Sequence, residues 1–349
     1  MTTGPQYPVY VISKGRADLP LTGRMFMRER IPFRIVVEEP ELDAYRAEFG
    51  DAVLVLPFQD LGFAPPARNW CWEHAIELGA ERHWMFDDNI RSFQRWHAGR
   101  RLAMDAALAM HLMEDFTDRY TNIGVSGPNY VMFGTGTQPP FYVNQRVYSS
   151  QLIRNDLPVR WRGHYNADTD LSLQVIALGL CTVMFNAFLI EKMTTMKMKG
   201  GSTPNHEGDG RLRMARSLER KWPGVVTTTR RFDRPQHKVA DEWRKFDTPL
   251  IRRDDIDWSA IEGTTVTLET RRTRPPRKAT KRFNVRERLI AYLEEHEGEP
   301  LSWDEMVAGV TDLDSRRQVY SALSGVRSEG HVVERVGTGT YVYRGKPDA

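Results

Sequence analysis

The chain of 349 residues is longer than one small domain and fits two modules, or one large module with an appendix. Hydrophobic residues make up 40%, which excludes wholesale disorder, and two cysteines exclude a disulfide framework or a zinc site built from thiolates. The 49 Lys and Arg nearly balance the 46 Asp and Glu, so only the distribution of charge can indicate a polyanionic partner.

From residue 8 to about residue 258, short apolar runs alternate with helical patterns, which is typical of an α/β fold. Several runs are apolar on both faces, as strands buried between layers of helices are. We therefore predict a three-layer sandwich. The predicted strands are 9–13, 34–37, 52–58, 83–86, 123–126 and 181–189, and the predicted helices are 69–78, 101–120, 170–178 and 211–221.

The composition changes abruptly after this region. Residues 271–282 hold seven Lys or Arg, no acid and two adjacent prolines, which is typical of a basic, extended linker. Helical patterns follow at 285–295, 302–310 and 315–327, the second of them opened by the capping-box pair Ser302 and Glu305. A β-hairpin is predicted at 332–343. Three short helices and a hairpin predict a winged helix-turn-helix.

An acidic motif follows the apolar strand 83–86. Asp87, Asp88 and Asn89 stand at its carboxyl end, where open α/β sheets bind their ligands. Side chains two apart share a face, so Asp87 and Asn89 would face one ligand, whereas Asp88 reaches it only if the strand bends. Such oxygen donors suit Mg²⁺ or Mn²⁺ held jointly with a diphosphate. A solvated turn that ends the strand is the alternative.

A second acidic motif opens the apolar helix near residue 170. Asp168 and Asp170 lie where one carboxylate would serve as a helix cap. Because one cap needs one side chain, the other is a candidate general base or an acceptor for a substrate hydroxyl. The sequence leaves open which of the two has which role.

Two glycine-containing basic loops are candidates for phosphate binding, although neither has P-loop or dinucleotide-binding spacing. An ordinary surface loop is the alternative for each. They comprise Ser13, Lys14, Gly15 and Arg16 after the first strand, and Lys199 and Gly200 after the last strand.

Together these segments resemble the TET-associated glycosyltransferases, a GT-A-type family encoded mainly by phages beside DNA cytosine methyltransferases and TET-like dioxygenases. The resemblance covers about residues 8–250 and depends on many short blocks in one order. The blocks are 11–16 (VISKGR), 67–70 (ARNW), 84–90 (WMFDDNI), 144–149 (NQRVYS), 160–166 (RWRGHYN) with 168–173 (DTDLSL), 185–188 (FNAF) and 199–201 (KGG).

The resemblance implies a GT-A-like, Rossmann-like enzyme that transfers sugar from a nucleotide-sugar, such as a UDP-sugar, to 5-hydroxymethylcytosine in double-stranded DNA. It implies that Asp87 and Asp88 bind the donor and a Mn²⁺ or Mg²⁺ ion. His237 would correspond to the late histidine that closes the metal site. At the second acidic motif the family has a Glu before the Asp, and Ala167 stands there, so the base can be Asp168 or Asp170.

The same resemblance implies further donor contacts. Residues 13–16 would lie beside the nucleotide, and the block that contains Arg68 and Asn69 would line the donor site. The cations of Arg68 and Lys199 suit a diphosphate or sugar hydroxyls. A hydroxyl is a poor nucleophile and a nucleoside diphosphate leaves as a polyanion, so the site needs both a base and positive charge.

The C-terminal module lies outside the resemblance. Its predicted third helix carries Arg316, Arg317 and Arg327, and the linker before it carries Arg277 and Lys278. Cations on these elements predict contacts to DNA phosphates. Docking of a partner protein is the alternative. The resulting domain plan is a glycosyltransferase domain at 7–262, a linker at 263–282 and a winged helix at 283–346.

Two other functions compete with this interpretation. A sugar-nucleotide pyrophosphorylase would share the fold, but its usual glycine-rich loop ending in a basic cluster is poorly matched by residues 13–16. The second competing function is a non-catalytic DNA-binding regulator, because Ala167 stands where the family has a Glu. The chain start lacks a signal-peptide pattern, and apolar stretches such as 183–190 fall short of the roughly 20 residues that span a bilayer. We expect a cytoplasmic protein without a membrane partner.

Overall fold

The computed structural model describes residues 4–59, 64–97, 99–134, 138–193, 209–231, 234–240, 247–263, 285–310 and 316–347. Lys199, Gly200, Arg277 and Lys278 lie outside these ranges, as does the predicted linker beyond Gly263. The chain divides into two compact units, one ending at Asp257 and one starting at Trp258. Within the described ranges, no helix has the length and apolar character needed to cross a membrane.

The first unit is a mixed α/β structure. Its helices are α1 (Leu21–Arg28), α2 (Leu42–Phe49), α3 (Pro65–Glu77), α4 (Ala106–Asp118), α5 (Ala167–Ala177) and α6 (Gly210–Lys221). Its strands are β1 (Val9–Ile12), β2 (Arg34–Val37), β3 (Val53–Val55), β4 (Arg82–Asp87), β5 (Ile90–His97), β6 (Arg100–Met104), β7 (Ile123–Tyr130), β8 (Phe141–Val143), β9 (Ser150–Arg154), β10 (Cys181–Lys192), β11 (Val226–Arg231) and β12 (Arg234–Val239).

Ten of these strands form one central mixed sheet. The order along it is β3-β2-β1-β4-β9-β7-β10-β5-β6, and β8 pairs with β10 beside β5. The first four strands are parallel, β9 is antiparallel to both β4 and β7, and β10 is parallel to β7. The carboxyl ends of β1, β4, β7 and β10 therefore meet at one edge of the sheet. The hairpin of β11 and β12 is separate from it.

The sheet is buried on both faces because its central strands are apolar at successive positions. In β4, Trp84 and Phe86 belong to one hydrophobic cluster and Met85 to another. Helices α1, α2 and α4 contribute to the first cluster, and α3 and α5 contribute to the second. Full burial of a side chain such as Phe86 contributes roughly 1.5 to 3 kcal/mol. The predicted α/β class, with a Rossmann-like central sheet, is confirmed.

The prediction was wrong for part of one helix and missed several elements. The predicted helix at 101–120 begins only at Ala106, and β6 lies before it. Asp105 follows the strand and caps the helix, since its side chain accepts from the Leu108 N–H at 3.1 Å. Strand β9 was missed because Ser150 and Gln151 are polar although both are buried in the sheet centre.

The second unit contains the predicted helices and hairpin. Its elements are α7 (Trp258–Gly263), α8 (Val285–Glu295), β13 (Pro300–Ser302), α9 (Trp303–Gly309), α10 (Arg316–Ser328), β14 (Val333–Gly337) and β15 (Thr340–Tyr343). The capping box of Ser302 and Glu305 is present, and Leu293, Met306 and Leu323 lie in a core of their own. The identification of this unit as a winged helix, and the domain limits, stay predictions.

Candidate functional site

The acidic motif lies at the sheet edge where parallel strands end. Ile12 of β1 pairs with Asp87 of β4, so the residues that follow each strand are neighbours. Ser13 Oγ donates to Asp88 Oδ2 at 2.6 Å. The Arg16 guanidinium forms an ion pair with the other Asp88 oxygen. Gly15, with a φ of 66°, takes the left-handed conformation that turns the chain back toward this carboxylate.

Only half of the predicted phosphate loop faces the acidic motif. Lys14 Nζ donates to Glu38 at 2.6 Å, and the backbone N–H of Gly15 donates to Glu41 at the same distance. Ser13 and Arg16 point to Asp88 instead. The loop is therefore held on both sides by carboxylates, and its contact with a donor stays a prediction.

Arg68 joins the two predicted acidic motifs. Its Nη2 donates to Asp87 Oδ1 at 2.9 Å, and its Nη1 donates to Asp168 Oδ1 at 2.8 Å. The guanidinium lies over the Trp161 ring, 4.3 Å from its centroid. Asn69 exchanges two hydrogen bonds of 2.9 Å with the Trp161 backbone, which fixes the indole under Arg68. The end of β4 and the first turn of α5 therefore belong to one site.

Lys192, the last residue of β10, completes the cluster and was not predicted. Its Nζ donates to Asp87 Oδ2 at 2.7 Å and to Ser149 Oγ at 2.6 Å. The ammonium also lies 5.9 Å from the centroid of the Tyr130 ring. No local pattern marks Lys192, because its approach to Asp87 depends on the order of four strands.

Ser149 occupies a strained backbone position between these groups. Its φ of 60° is in the left-handed region, which costs a residue other than glycine about 1 to 3 kcal/mol. In this conformation its hydroxyl contacts both Lys192 and, at 2.8 Å, the Tyr130 hydroxyl. The Tyr130 ring stacks on Tyr148, 6.0 Å away at 15°. The strain is therefore located where polar and aromatic groups converge.

Charges in this cluster balance, and we call it the acid–cation network. It has three carboxylates, Asp87, Asp88 and Asp168, and three cations, Arg16, Arg68 and Lys192.

Burial and neighbouring charge set the protonation of these carboxylates. Burial favours neutral Asp87, but the charges of Lys192 and Arg68 outweigh it and lower its pKa. Burial raises the pKa of Asp168, an effect that Arg68 opposes and the Asp87 charge reinforces. Burial also raises the pKa of Asp88, which Arg16 offsets only in part. Two carboxylates in contact with one guanidinium thus differ in basicity.

Asp170 has a different environment from Asp168. Its fully buried carboxylate accepts from Arg162 at 2.9 and 3.1 Å, from Gln174 at 3.0 Å and from Trp222 Nε1 at 2.7 Å. These bonds tie α5 to the end of α6. Neither Asp is the helix cap, since Asn166 occupies that position without a side-chain capping bond.

The structure does not bring His237 to the acidic motif. His237 lies on β12, with Nε2 3.4 Å from Arg146 Nη1, and burial and the Arg146 charge lower its pKa to about 4. Within the described ranges, no three or more His, Cys, Asp and Glu side chains are placed to hold a metal ion.

The donor set of the acidic motif does not fit a divalent ion as it stands. The four carboxylate oxygens of Asp87 and Asp88 each accept from a side chain of this protein. A metal ion would therefore have to displace a bound ammonium, guanidinium or hydroxyl group.

A basic cleft of about 740 Å³ begins beside the second acidic motif. It lies between α5, the segment after β8 and the β11–β12 hairpin, and Thr169, the neighbour of Asp168, lines it. Its charged lining residues are Arg146, Arg230, Arg231 and Lys238, with Asp247 as the acid. The cleft therefore suits an anionic, extended ligand.

Two of the predicted DNA contacts of the second unit, Arg316 and Arg327, are engaged within that unit. Arg316 forms an ion pair with Asp304 at 2.7 Å, and both side chains are exposed. Arg327 donates twice to the Val333 carbonyl, at 2.9 and 2.7 Å. Arg317 lies on α10, and its side chain is outside the described part of the chain. DNA binding by these residues stays a prediction.

Comparison with protein families gives a match over the first part of the chain. The model of the family described as TET-Associated Glycosyltransferase matches residues 7–201, more than half of the 349 residues. A search of curated proteins finds no match. The matched range contains the whole acid–cation network, whereas His237 and the second unit lie outside it.

Proposed function

Because the chain belongs to the TET-associated glycosyltransferase family, we propose that it transfers a sugar from a nucleotide-sugar, such as a UDP-sugar, to the hydroxyl of 5-hydroxymethylcytosine in double-stranded DNA. The observation that supports this most is the Arg68 bridge between Asp87 and Asp168. It combines a donor-binding strand end with a carboxylate base, the two parts that glycosyl transfer to a hydroxyl requires.

Asp168 is the proposed base that removes the acceptor proton. Among the described residues only Arg68 donates to its carboxylate, and that bond uses Oδ1, so Oδ2 can accept a proton. Its raised pKa makes it a stronger base than an ordinary aspartate. Asp170, by contrast, has both oxygens engaged by Arg162, Gln174 and Trp222. We assign Asp170 to positioning α5.

The donor diphosphate is proposed to lie at the GT-A-like sheet edge beside residues 13–16. Arg16, Arg68 and Lys192 are cations on three separate elements there, and they offset the charge that develops on the leaving nucleotide. No step of this proposal passes through a metal ion, because the oxygens of Asp87 and Asp88 are already occupied.

The acceptor DNA is proposed to follow the basic cleft. Its cations suit phosphates on either side of the modified nucleotide, and Thr169 places one end of the cleft next to the base Asp168. A base inside a duplex cannot present its substituent to a carboxylate, so the nucleotide has to leave the stack. The stacked pair Tyr130 and Tyr148 lies beside the acid–cation network and offers an aromatic surface for it.

The second unit is proposed to increase affinity for long DNA. Three helices with a three-stranded sheet are the parts of a winged helix, and the basic linker precedes them. Since counterion release needs several cations together, the linker would contribute more than Arg316 or Arg327, which are bonded within the unit.

The test is mass spectrometry of nucleosides from hydroxymethylated duplex incubated with the protein and a panel of sugar nucleotides. We expect a hexose-type mass increase on hydroxymethylcytosine with wild type and none with unmodified DNA. Formation of a sugar nucleotide from a sugar phosphate and a nucleoside triphosphate would instead favour the pyrophosphorylase. Duplex binding without turnover of any donor would favour the regulator.

A further inference from the structure

Asp87 is held between two side-chain cations. Lys192 contacts Oδ2 at 2.7 Å and Arg68 contacts Oδ1 at 2.9 Å. Carboxylates at the end of a strand are expected to attract a divalent ion when a diphosphate binds beside them. Here the chain itself supplies positive charge at both oxygens.

We propose that Lys192, with Arg68, supplies at Asp87 the positive charge that a divalent ion would otherwise supply, so that the site takes an anionic nucleotide diphosphate without a metal ion. Lys192 is then a donor-contacting residue of the enzyme. The inference rests on the proposed function for its ligand, whereas the occupation of Asp87 by Lys192 can be tested without turnover.

The structure contains two irregular features at Lys192. The pairing of β10 with β5 changes register beside Lys192, because Glu191 pairs with Ser92 and Lys192 pairs with Ile90. Ser149, in its left-handed conformation, accepts the second hydrogen bond of the ammonium. The register change lies at the backbone of Lys192 and the left-handed Ser149 contacts its Nζ, so the ammonium is held where the backbone departs from regular geometry.

Lys192 also keeps capacity for a ligand. Among the described residues its ammonium donates to Asp87 and Ser149. An ammonium has three N–H groups, so the third can donate to a ligand. The side chain is 21% exposed, as Asp87 is at 20%, so the pair faces solvent at the sheet edge. An anion arriving there meets an ammonium that is already oriented.

The charge balance favours the same conclusion. Three carboxylates and three cations leave the acid–cation network neutral, so a dianionic diphosphate meets no net repulsion. A divalent ion would have to break the Lys192 or Arg68 bond before it reached Asp87. Such an exchange would cost one of the two charge-assisted hydrogen bonds that hold Asp87, which opposes it.

The test measures Mn²⁺ binding to the full chain, with and without UDP, by calorimetry and by electron paramagnetic resonance. We expect wild type to show no Mn²⁺ site that depends on Asp87. Lys192→Gln keeps an N–H donor and removes the charge, so it should gain a Mn²⁺ site that Asp87→Asn then abolishes. Lys221→Gln is the matched control, because Lys221 Nζ contacts the Arg162 carbonyl at 3.5 Å.

Transfer assays supply the second readout. Wild type should keep its activity in EDTA, whereas Lys192→Gln should lose at least 10-fold and recover part of it with Mn²⁺. A wild-type Mn²⁺ site that disappears in Asp87→Asn would overturn the inference, as would a folded Lys192→Gln protein with wild-type turnover and no Mn²⁺ gain. If Lys192→Gln does not fold, Mn²⁺ titrations of wild type and Asp87→Asn still test the inference, because they show whether wild type has a Mn²⁺ site that depends on Asp87. If no transfer occurs at all, only the proposed function fails.

Discussion

Both ends of β4 carry a buried ion pair. The two ends differ in whether a carboxylate oxygen is left without a hydrogen-bond donor. At the amino end, Arg82 donates to Asp118 at 2.9 Å and to the Ile123 carbonyl at 3.0 Å. Asp118 also accepts from Gln6 and Tyr7. Every one of these bonds fastens one part of the fold to another.

At the carboxyl end, Asp87 binds Lys192 and Arg68, but Asp168 keeps an oxygen to which no described side chain donates. A cleft of about 700 Å³ lies at the amino end, close in volume to the basic cleft of about 740 Å³. Burial and cavity volume are therefore similar at the two ends. The ends differ in the carboxylate oxygen of Asp168, to which no described side chain donates.

The largest expected effect separates the two aspartates of α5. Asp168→Asn should lower turnover by roughly 100-fold or more with donor affinity nearly unchanged, since an amide cannot accept the acceptor proton. Asp170→Asn should lower the melting temperature and keep turnover per folded molecule. Single-turnover rates, donor titrations and thermal melts measure these quantities. The opposite pattern would exchange the two roles.

The next largest effect concerns stability at the amino end of β4. Arg82→Met leaves Asp118 without its buried partner and should lower the free energy of unfolding by about 3 to 5 kcal/mol. Adding Asp118→Leu should restore part of the loss, because it removes the unpaired charge but leaves the Gln6 and Tyr7 donors without this acceptor. Denaturant titrations of the two variants give these values. Transfer by Arg82→Met at low temperature should match wild type, and a collapse of transfer in the folded protein would contradict the structural role.

A pH profile should sharpen the contrast further. The raised pKa of Asp168 means that its carboxylate, the form that acts as base, is lost as pH falls through a value above the ordinary one of about 3.9. The rate should therefore fall on acidification earlier than for an ordinary aspartate. Arg68→Met should move this fall in rate to still higher pH, since the charge of Arg68 opposes the rise in the pKa of Asp168. If the pH at which the rate falls is the same in Arg68→Met as in wild type, this would argue against Asp168 as the base.

The smallest effect concerns the two proposed DNA-binding regions. Replacing Arg146 and Lys238 in the basic cleft by alanine should reduce the logarithmic salt slope of duplex binding by about 1.8 if each contacts a phosphate. Replacing Arg277 and Lys278 in the linker by alanine should reduce the salt slope of binding to long duplexes by the same amount. Fluorescence anisotropy across a salt series measures both, with Arg24→Ala, on an exposed pair with Glu48, as control. Unchanged slopes would remove the region concerned from the DNA interface.

Local sequence predicted the parts of the site that follow directly from one element. Asp87 and Asp88 were found because an apolar strand ends at them, and Asp168 because a helix begins there. Lys192, Ser149 and Tyr130 were not found, since their proximity depends on β9 and β7 lying between β4 and β10. His237 was implied by resemblance alone, and the structure places it beside Arg146.

The fold shows the same division between local and distant information. Apolar runs predicted β1, β2, β3, β4, β7 and β10, all of which lie in the sheet interior except the edge strand β3. The β5–β6 hairpin carries Arg95, Arg100 and Arg101 on exposed positions, and its second strand overlaps the start of the predicted helix 101–120. Strands without a continuous apolar run, such as the central β9 and the β5–β6 hairpin, are therefore not visible in the sequence.

The position of β10 in the sheet bears on the order in which the protein forms during synthesis. Asp87 and Arg68 leave the ribosome long before Lys192, and β10 pairs with β7 along one side and with β8 and β5 along the other. Insertion of this strand closes the sheet and delivers the ammonium to Asp87 in the same event. Long-range pairing of this kind forms late in folding. A partly synthesised chain therefore has Asp87 and Arg68 without the ammonium of Lys192, and the acid–cation network is complete only on a molecule whose sheet is already closed.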